Sequence, residues 1–215
     1  MKHLDSGDMV ANILEYRRSA TPEQVEAGTG WYPLAGRVVK AIADQTGIDA
    51  ERVGYAVAAL SPRNPWRWNI ADAYAYCSAA AEGRTMPRAT TFKRNQNAAW
   101  QAVTGDLVNV WRTSALKVTN FVGAILGDPN RVVVDTWACR VATGGALSTV
   151  RNDTQYLAIA DAYRHAASLT GEAPSTTQAI TWLVAQTEGL ATSRRGRHDL
   201  SFKAGTPEFV KDLLR

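Results

Sequence analysis

Residues 110–141 read VWRTSALKVTNFVGAILGDPNRVVVDTWACRV, and the reading of the whole chain turns on this stretch. Lys117 stands at the start of an apolar run with helical spacing. A Gly127-Asp128-Pro129-Asn130 turn follows, then a short β-branched run and a single carboxylate, Asp135. The amine and the acid are 18 positions apart. A chain that folds back at the turn brings them together as a candidate active site.

The pattern on both sides is helical. Residues 8–18 place Met9, Val10, Ile13 and Leu14 on one face, and Thr21-Pro22-Glu23 has the form of a helix start with Pro in the first turn. Gly28, Gly30 and Pro33 predict a loop around Trp31 and Tyr32. Helices are expected over 34–45, closed by Gly47, and over 49–60, opened by an Asp49 cap. Pro62 and Pro65 interrupt the pattern within 61–69, and an alanine-rich helix then runs to near Gly83. After a linker over 83–91, residues 92–103 form another helix that Gly105 stops. Further helices are expected over 153–169 and from Ser175, where Ser175-x-x-Gln178 has the capping-box form, with a last short one over 207–214. Residues 131–134 are too short to build a sheet, so the class is all-α.

Composition bounds the chemistry. With 215 residues and 46% hydrophobic content, the chain can build one compact domain or two small lobes sharing a cleft. No apolar run approaches a membrane span, and residues 1–20 lack the basic start and apolar centre of a leader, so a soluble protein is expected. Two cysteines, Cys77 and Cys139, exclude a disulfide framework, a zinc knuckle and a four-cysteine iron–sulfur cluster, and fit a reducing compartment. His3, His165 and His198 are scattered without ligand spacing. No metal or cofactor is therefore called for. A net charge of +4 and a pI near 9.2 are compatible with a polyanionic partner.

Three pieces of sequence carry a resemblance. The run over 59–69, ALSPRNPWRWN, is similar to the "LLSAQ" segment and following helix of the helix-hairpin-helix DNA glycosylase superfamily, the group that includes endonuclease III. Leu116-Lys117-Val118-Thr119-Asn120-Phe121 resembles the surroundings of that family's catalytic lysine. Residues 134–141, VDTWACRV, resemble its "VDTHxxRV" segment with the catalytic aspartate, and the interval of 18 fits the endonuclease III pattern. The likeness spans roughly residues 30–190. It implies one two-lobed helical domain without an iron–sulfur cluster, with lobes of roughly 60–150 and of 1–59 plus 151–215.

The resemblance also implies roles. Lys117 would be the nucleophile, attacking C1′ of a sugar as a neutral amine, its ordinary pKa of about 10.4 lowered by an apolar setting. Asp135 would stabilise the positive charge that develops on that sugar. Ser61, Arg63, Asn64, Trp66, Asn69 and Tyr32 would line the substrate site, with Arg63, Asn64 and Trp66 on a proline-stiffened loop as wedge or pocket wall for an extruded base. Arg112, Thr113, Ser114, Lys93 and Arg94 would touch the DNA backbone. One departure stands out: the family's hairpin reads Leu-Pro-Gly-Val-Gly, whereas Arg112-Thr113-Ser114-Ala115-Leu116 has no glycine to let backbone N–H groups approach a phosphate.

Plainer readings of the same residues stay open. Lys117 also fits a solvated position on an amphipathic helix, and Asp-Thr before a helical run also fits an N-cap. Trp66 and Trp68 also fit core packing, and Arg194, Arg195 and Arg197 a solvated basic tail. The expected function is a DNA N-glycosylase with lyase activity on a damaged or modified base. The alternatives are a phage-type enzyme transferring an amine or amino acid to an activated 5-hydroxymethyl pyrimidine, and a catalytically inactive DNA-binding protein. DNA is the expected partner, no membrane is involved, a monomer is favoured, and the setting is a bacterial or phage-infected cytoplasm.

Overall fold

A computed structural model describes residues 5–192, 202–203 and 205–214; Arg194, Arg195, Arg197, His3 and His198 lie outside the described residues. Among these residues the chain is all-helical, with no strand. Eleven helices follow in order: α1 Ser6–Ser19, α2 Pro22–Thr46, α3 Ala50–Leu60, α4 Trp66–Ala81, α5 Lys93–Thr104, α6 Leu107–Thr113, α7 Leu116–Ile125, α8 Thr136–Ala142, α9 Asp153–Thr170, α10 Pro174–Thr192 and α11 Glu208–Leu213. No described helix is long and apolar enough to cross a membrane.

The chain divides into two compact units, one holding residues up to Pro33 together with those from Gly127 through α10, the other holding Leu34–Leu126 and the C-terminal residues. The sequence reading places its lobe boundaries near 60 and 150 instead. The first division falls inside α2, which is one continuous helix with Pro33 in its interior. The loop expected around Trp31 and Tyr32 is thus helical. Gly28 explains why a helix breaker belongs there: a Cβ on it would lie 2.7 Å from the Ile180 Cα and 2.8 Å from the Ile180 N of α10. Only a residue without a side chain lets the two backbones come that close.

In the first unit, α1 packs against α8, α9 and α10 through Met9, Val10 and Ile13. Arg17 of α1 grips Glu172 with Nε at 2.9 Å and Nη2 at 2.5 Å, fastening α1 to the start of α10. Residues 132–134 are buried and belong to no helix, and among the described residues no strand forms. One side chain meets two of their backbone groups: the Tyr156 hydroxyl accepts from the Val134 N–H at 3.2 Å and donates to the Val132 carbonyl at 2.8 Å, while the Val133 carbonyl accepts from the Asp135 N–H at 3.1 Å.

The second unit is built around α3. Eight consecutive residues, from Val53 to Leu60, are buried there, as befits a helix enclosed by α4, α5 and α7. Small residues make the enclosure possible, and a Cβ added at Gly54 would already lie 3.5 Å from a Val122 methyl of α7. Asp49 caps α3 by accepting from the Glu51 N–H at 2.8 Å, and Asp106 caps α6 by accepting from Val108 N–H at 2.9 Å.

Candidate functional site

The stretch around Lys117 is a helix, a two-residue link and a helix. α6 ends at Thr113, Ser114 and Ala115 connect, and α7 begins at Leu116, so Lys117 occupies the first turn of α7, half-buried. The buried face of α7 is Asn120, Val122, Ala124 and Ile125, while Leu126 is largely exposed. The link is held from inside the unit. The Ser114 hydroxyl donates to the Val110 carbonyl at 2.5 Å and meets the Tyr55 hydroxyl, which leaves it committed to the fold rather than to a phosphate. Arg112 is exposed. The Thr113 side chain lies outside the described residues.

Also in this unit, residues 61–65 join α3 to α4, and Trp66 and Asn69 already belong to the helix. Asn69 is a core residue, 1% exposed, whose amide donates to the Val57 carbonyl at 3.0 Å; it was expected to touch substrate, but burial and this bond turn it inward. Ser61 donates to the Ala58 carbonyl at 2.9 Å, and Asn64 donates to Asp72 at 3.0 Å. Trp66 is half-buried. Arg63 remains exposed and takes φ = 56°, a left-handed conformation unusual for a residue with a side chain.

That conformation sends Arg63 to a residue the sequence reading passed over. Its guanidinium lies 5.0 Å from the ring centroid of Phe92, and Arg94 lies 5.7 Å from the same ring. Phe92 is 41% exposed, and Lys93 beside it is exposed as well. Arg63 and Arg94, expected in different roles, thus meet on one aromatic ring. A phenylalanine directly ahead of Lys-Arg at a helix start was the available signal.

Asp135 lies in the other unit and caps α8. Its Oδ1 accepts from the N–H groups of Trp137 and Ala138, both at 2.9 Å, and its Oδ2 accepts from Trp182 Nε1 at 3.0 Å. Trp182 of α10 packs in turn on Trp31, with ring centroids 5.1 Å apart. Tyr32 is buried and donates to Gln178 Oε1 at 2.7 Å, so it is a packed residue with its hydroxyl satisfied. Burial pushes the Tyr32 hydroxyl well above its ordinary pKa, and the Asp135 charge pushes it further. Burial likewise raises Tyr163, again with a contribution from Asp135. The carboxylate therefore sits among aromatic groups, fixed by donors on both of its oxygens. Such a group can hold a positive charge that develops next to it without first reorganising.

Gln178 does not close a capping box. Its oxygen is taken by Tyr32, while the Ser175 N–H donates to the Pro129 carbonyl at 3.0 Å.

The family model that matches this chain, over residues 1–189, is described as a family of unknown function, DUF7178. No curated protein and no solved structure matches the chain.

Proposed function

We propose that the chain, which belongs to the DUF7178 family, has a helix-hairpin-helix DNA glycosylase-like fold and cleaves the N-glycosidic bond of a damaged or modified base in DNA. The observation that carries this reading is the helix, two-residue link and helix over 107–125, with an amine in the first turn of the second helix. It is followed 18 positions later by a carboxylate whose direction is fixed by three donors. The two guanidinium groups gathered on the exposed Phe92 ring, with Lys93 beside them, support a nucleic-acid partner, because phosphates and bases are met by cations and aromatic faces.

Lys117 is the nucleophile. Its lone pair forms the bond to C1′ as the bond from C1′ to the base breaks, and the base leaves with that electron pair and takes up a proton. Loss of the remaining amine proton and opening of the sugar ring give a Schiff base. Asp135 offsets the charge on the sugar as the glycosidic bond lengthens. Borohydride reduces the Schiff base to a stable amine and so crosslinks enzyme to DNA. Wild-type protein should crosslink to an oligonucleotide carrying the right base, and Lys117→Ala should not. If wild-type protein crosslinks to nothing across a broad panel of modified bases, the lyase assignment fails.

One observation favours a second reading. The link before Lys117 has no glycine, and its serine hydroxyl is bonded internally, as suits a divergent use of the scaffold: transfer of an amine or amino acid to an activated 5-hydroxymethyl pyrimidine in DNA. Nucleoside mass spectrometry separates the two, because transfer leaves the glycosidic bond intact. DNA binding that survives Lys117→Ala and Asp135→Ala with no product in either assay identifies a binding protein instead.

A further inference from the structure

Asp72 is 2% exposed, on α4, and three separate segments converge on its carboxylate. Oδ2 accepts from the Asn64 amide of the 61–65 loop and from the Thr90 N–H of the 82–92 connection, both at 3.0 Å. Oδ1 is ion-paired with Lys203 from the C-terminal segment. Asn64 adjoins Arg63, and Thr90 stands two residues before Phe92. The two bonds on Oδ2 thus hold the Asn64 side chain and the Thr90 backbone on either side of the Arg63–Phe92 contact. A third bond ties the same two segments directly, from the Thr91 hydroxyl to the Pro62 carbonyl at 2.7 Å.

The C-terminal segment is seated on the same helix. Arg67 of α4 lies over the Phe202 ring at 4.4 Å and donates to the Leu214 carbonyl at 3.3 Å, Tyr74 of α4 meets Phe209 edge-on at 5.6 Å, and Val210 is fully buried. The segment lies beyond the residues that the family model matches. Charge is also distributed unevenly. Leu34–Leu126 carries eleven Lys and Arg against six Asp and Glu, and the rest of the chain thirteen against fourteen. Within that basic stretch, Arg63, Lys93 and Arg94 form no ion pair with any described residue.

We propose that the C-terminal segment is a clasp that sets the Arg63–Phe92–Arg94 surface, with Lys203 and Asp72 as its positioning residues. A buried carboxylate is costly without a compensating cation, and Lys203 supplies that cation. With Lys203 present, Oδ2 serves as a fixed acceptor for Asn64 and Thr90. Without it, the carboxylate opens to water and both segments lose their common anchor. The clasp stands on this geometry; its consequence for DNA rests on the function proposed above.

The test uses the full chain with Lys203→Met, the conservative Lys203→Arg, and Arg67→Met, which loosens the segment without leaving Asp72 uncompensated. Hydrogen exchange is read over 61–65 and 84–92, with α8 as the internal control. Anisotropy of a labelled oligonucleotide is read in parallel, with Arg63→Ala as reference. Lys203→Met should speed exchange in the two segments by about tenfold and leave α8 within about twofold. Arg67→Met should act in the same direction more weakly, and Lys203→Arg should restore the wild-type pattern. Unchanged exchange in the two segments, or an equal rise everywhere, overturns the clasp. On the DNA side, Lys203→Met should weaken binding about as much as Arg63→Ala, on the order of the several-fold loss expected when one phosphate contact is removed. If exchange rises locally but neither variant alters oligonucleotide binding, the clasp stands and the DNA reading of this surface falls.

Discussion

Replacing Asp135 separates what this carboxylate does for the fold from what it does chemically. Asp135→Ala removes the N-cap of α8, worth about 1 kcal/mol. It also strips the Trp182 indole of its acceptor, worth about another 1 kcal/mol because Trp182 is only half-buried. The combined loss of about 2 kcal/mol corresponds to a drop of about 4–8 °C in Tm for a chain of this length. Asp135→Ser keeps an oxygen for the cap but cannot reach the indole, so it should lose about half as much. Asp135→Asn has a different problem. Donors face both oxygens of the native side chain, so the new NH2 group meets a donor whichever way the amide turns. It should cost about as much as serine, within about 1 kcal/mol. Urea unfolding followed by far-UV circular dichroism measures all three, and a double-mutant cycle with Trp182→Phe should return a coupling of about 1 kcal/mol. A loss under about 0.5 kcal/mol for Asp135→Ala would refute the bonding described for this group. Borohydride trapping by the serine variant then tells the roles apart: lost trapping with retained fold assigns the carboxylate to chemistry, and retained trapping leaves it a cap.

Gly28 and Gly30 provide a matched pair on α2. A Cβ at Gly28 would collide with the backbone of Ile180, so Gly28→Ala should destabilise by about 1–3 kcal/mol. Nothing lies within 4 Å of a Cβ at Gly30, so Gly30→Ala should stabilise by up to about 1 kcal/mol through helix propensity, and thermal melts give both signs. Burial raises the Glu172 carboxyl, but hydrogen bonds from Arg17 and Thr177 and the Arg17 charge more than offset this and hold its pKa below the ordinary value of 4.5. A depressed folded pKa means that its contribution is fully present above that ordinary value and is lost as pH falls through the lower folded one. The urea midpoint of wild-type protein should therefore fall more steeply with acidification below about pH 4.5 than that of Glu172→Gln. Burial pushes the Cys77 thiol up to about 12, so native protein should resist iodoacetamide there at neutral pH and react only when unfolded.

What could be read before folding was the local part. Asp49, Gly83, Gly105 and Asp135 mark helix ends through contacts within a few residues, and α3, α4, α5 and α9 fall close to where those signals put them. The seven-residue α6 is not legible in the sequence because its one start signal, Asp106, is followed by too few residues to show a period. The local pattern divides α2 in two because Gly28, Gly30 and Pro33 are poor helix formers. The close approach that demands a glycine at position 28 is made with Ile180, more than 150 positions away. The capping box failed for the same reason, since Gln178 is bonded to Tyr32, 146 positions distant. The candidate site divides along that line. The cap at Asp135 could be read locally, whereas Trp182, Phe92 and Asp72 act through partners that only the folded chain supplies.

The unit that contains α1 is assembled from two stretches separated by Leu34–Leu126, and this fixes an order of events on the ribosome. α1 is made before its packing partners α8, α9 and α10, the first of which begins 117 positions after α1 ends. At roughly 5–20 residues per second, the apolar face of α1, with Met9, Val10 and Ile13, waits on the order of ten seconds or longer for a surface to bury it. Leu34–Leu126 is complete well before that. The nascent chain thus carries an exposed amphipathic helix beside a second unit that still lacks its C-terminal residues, and that interval is when chaperone engagement should be greatest.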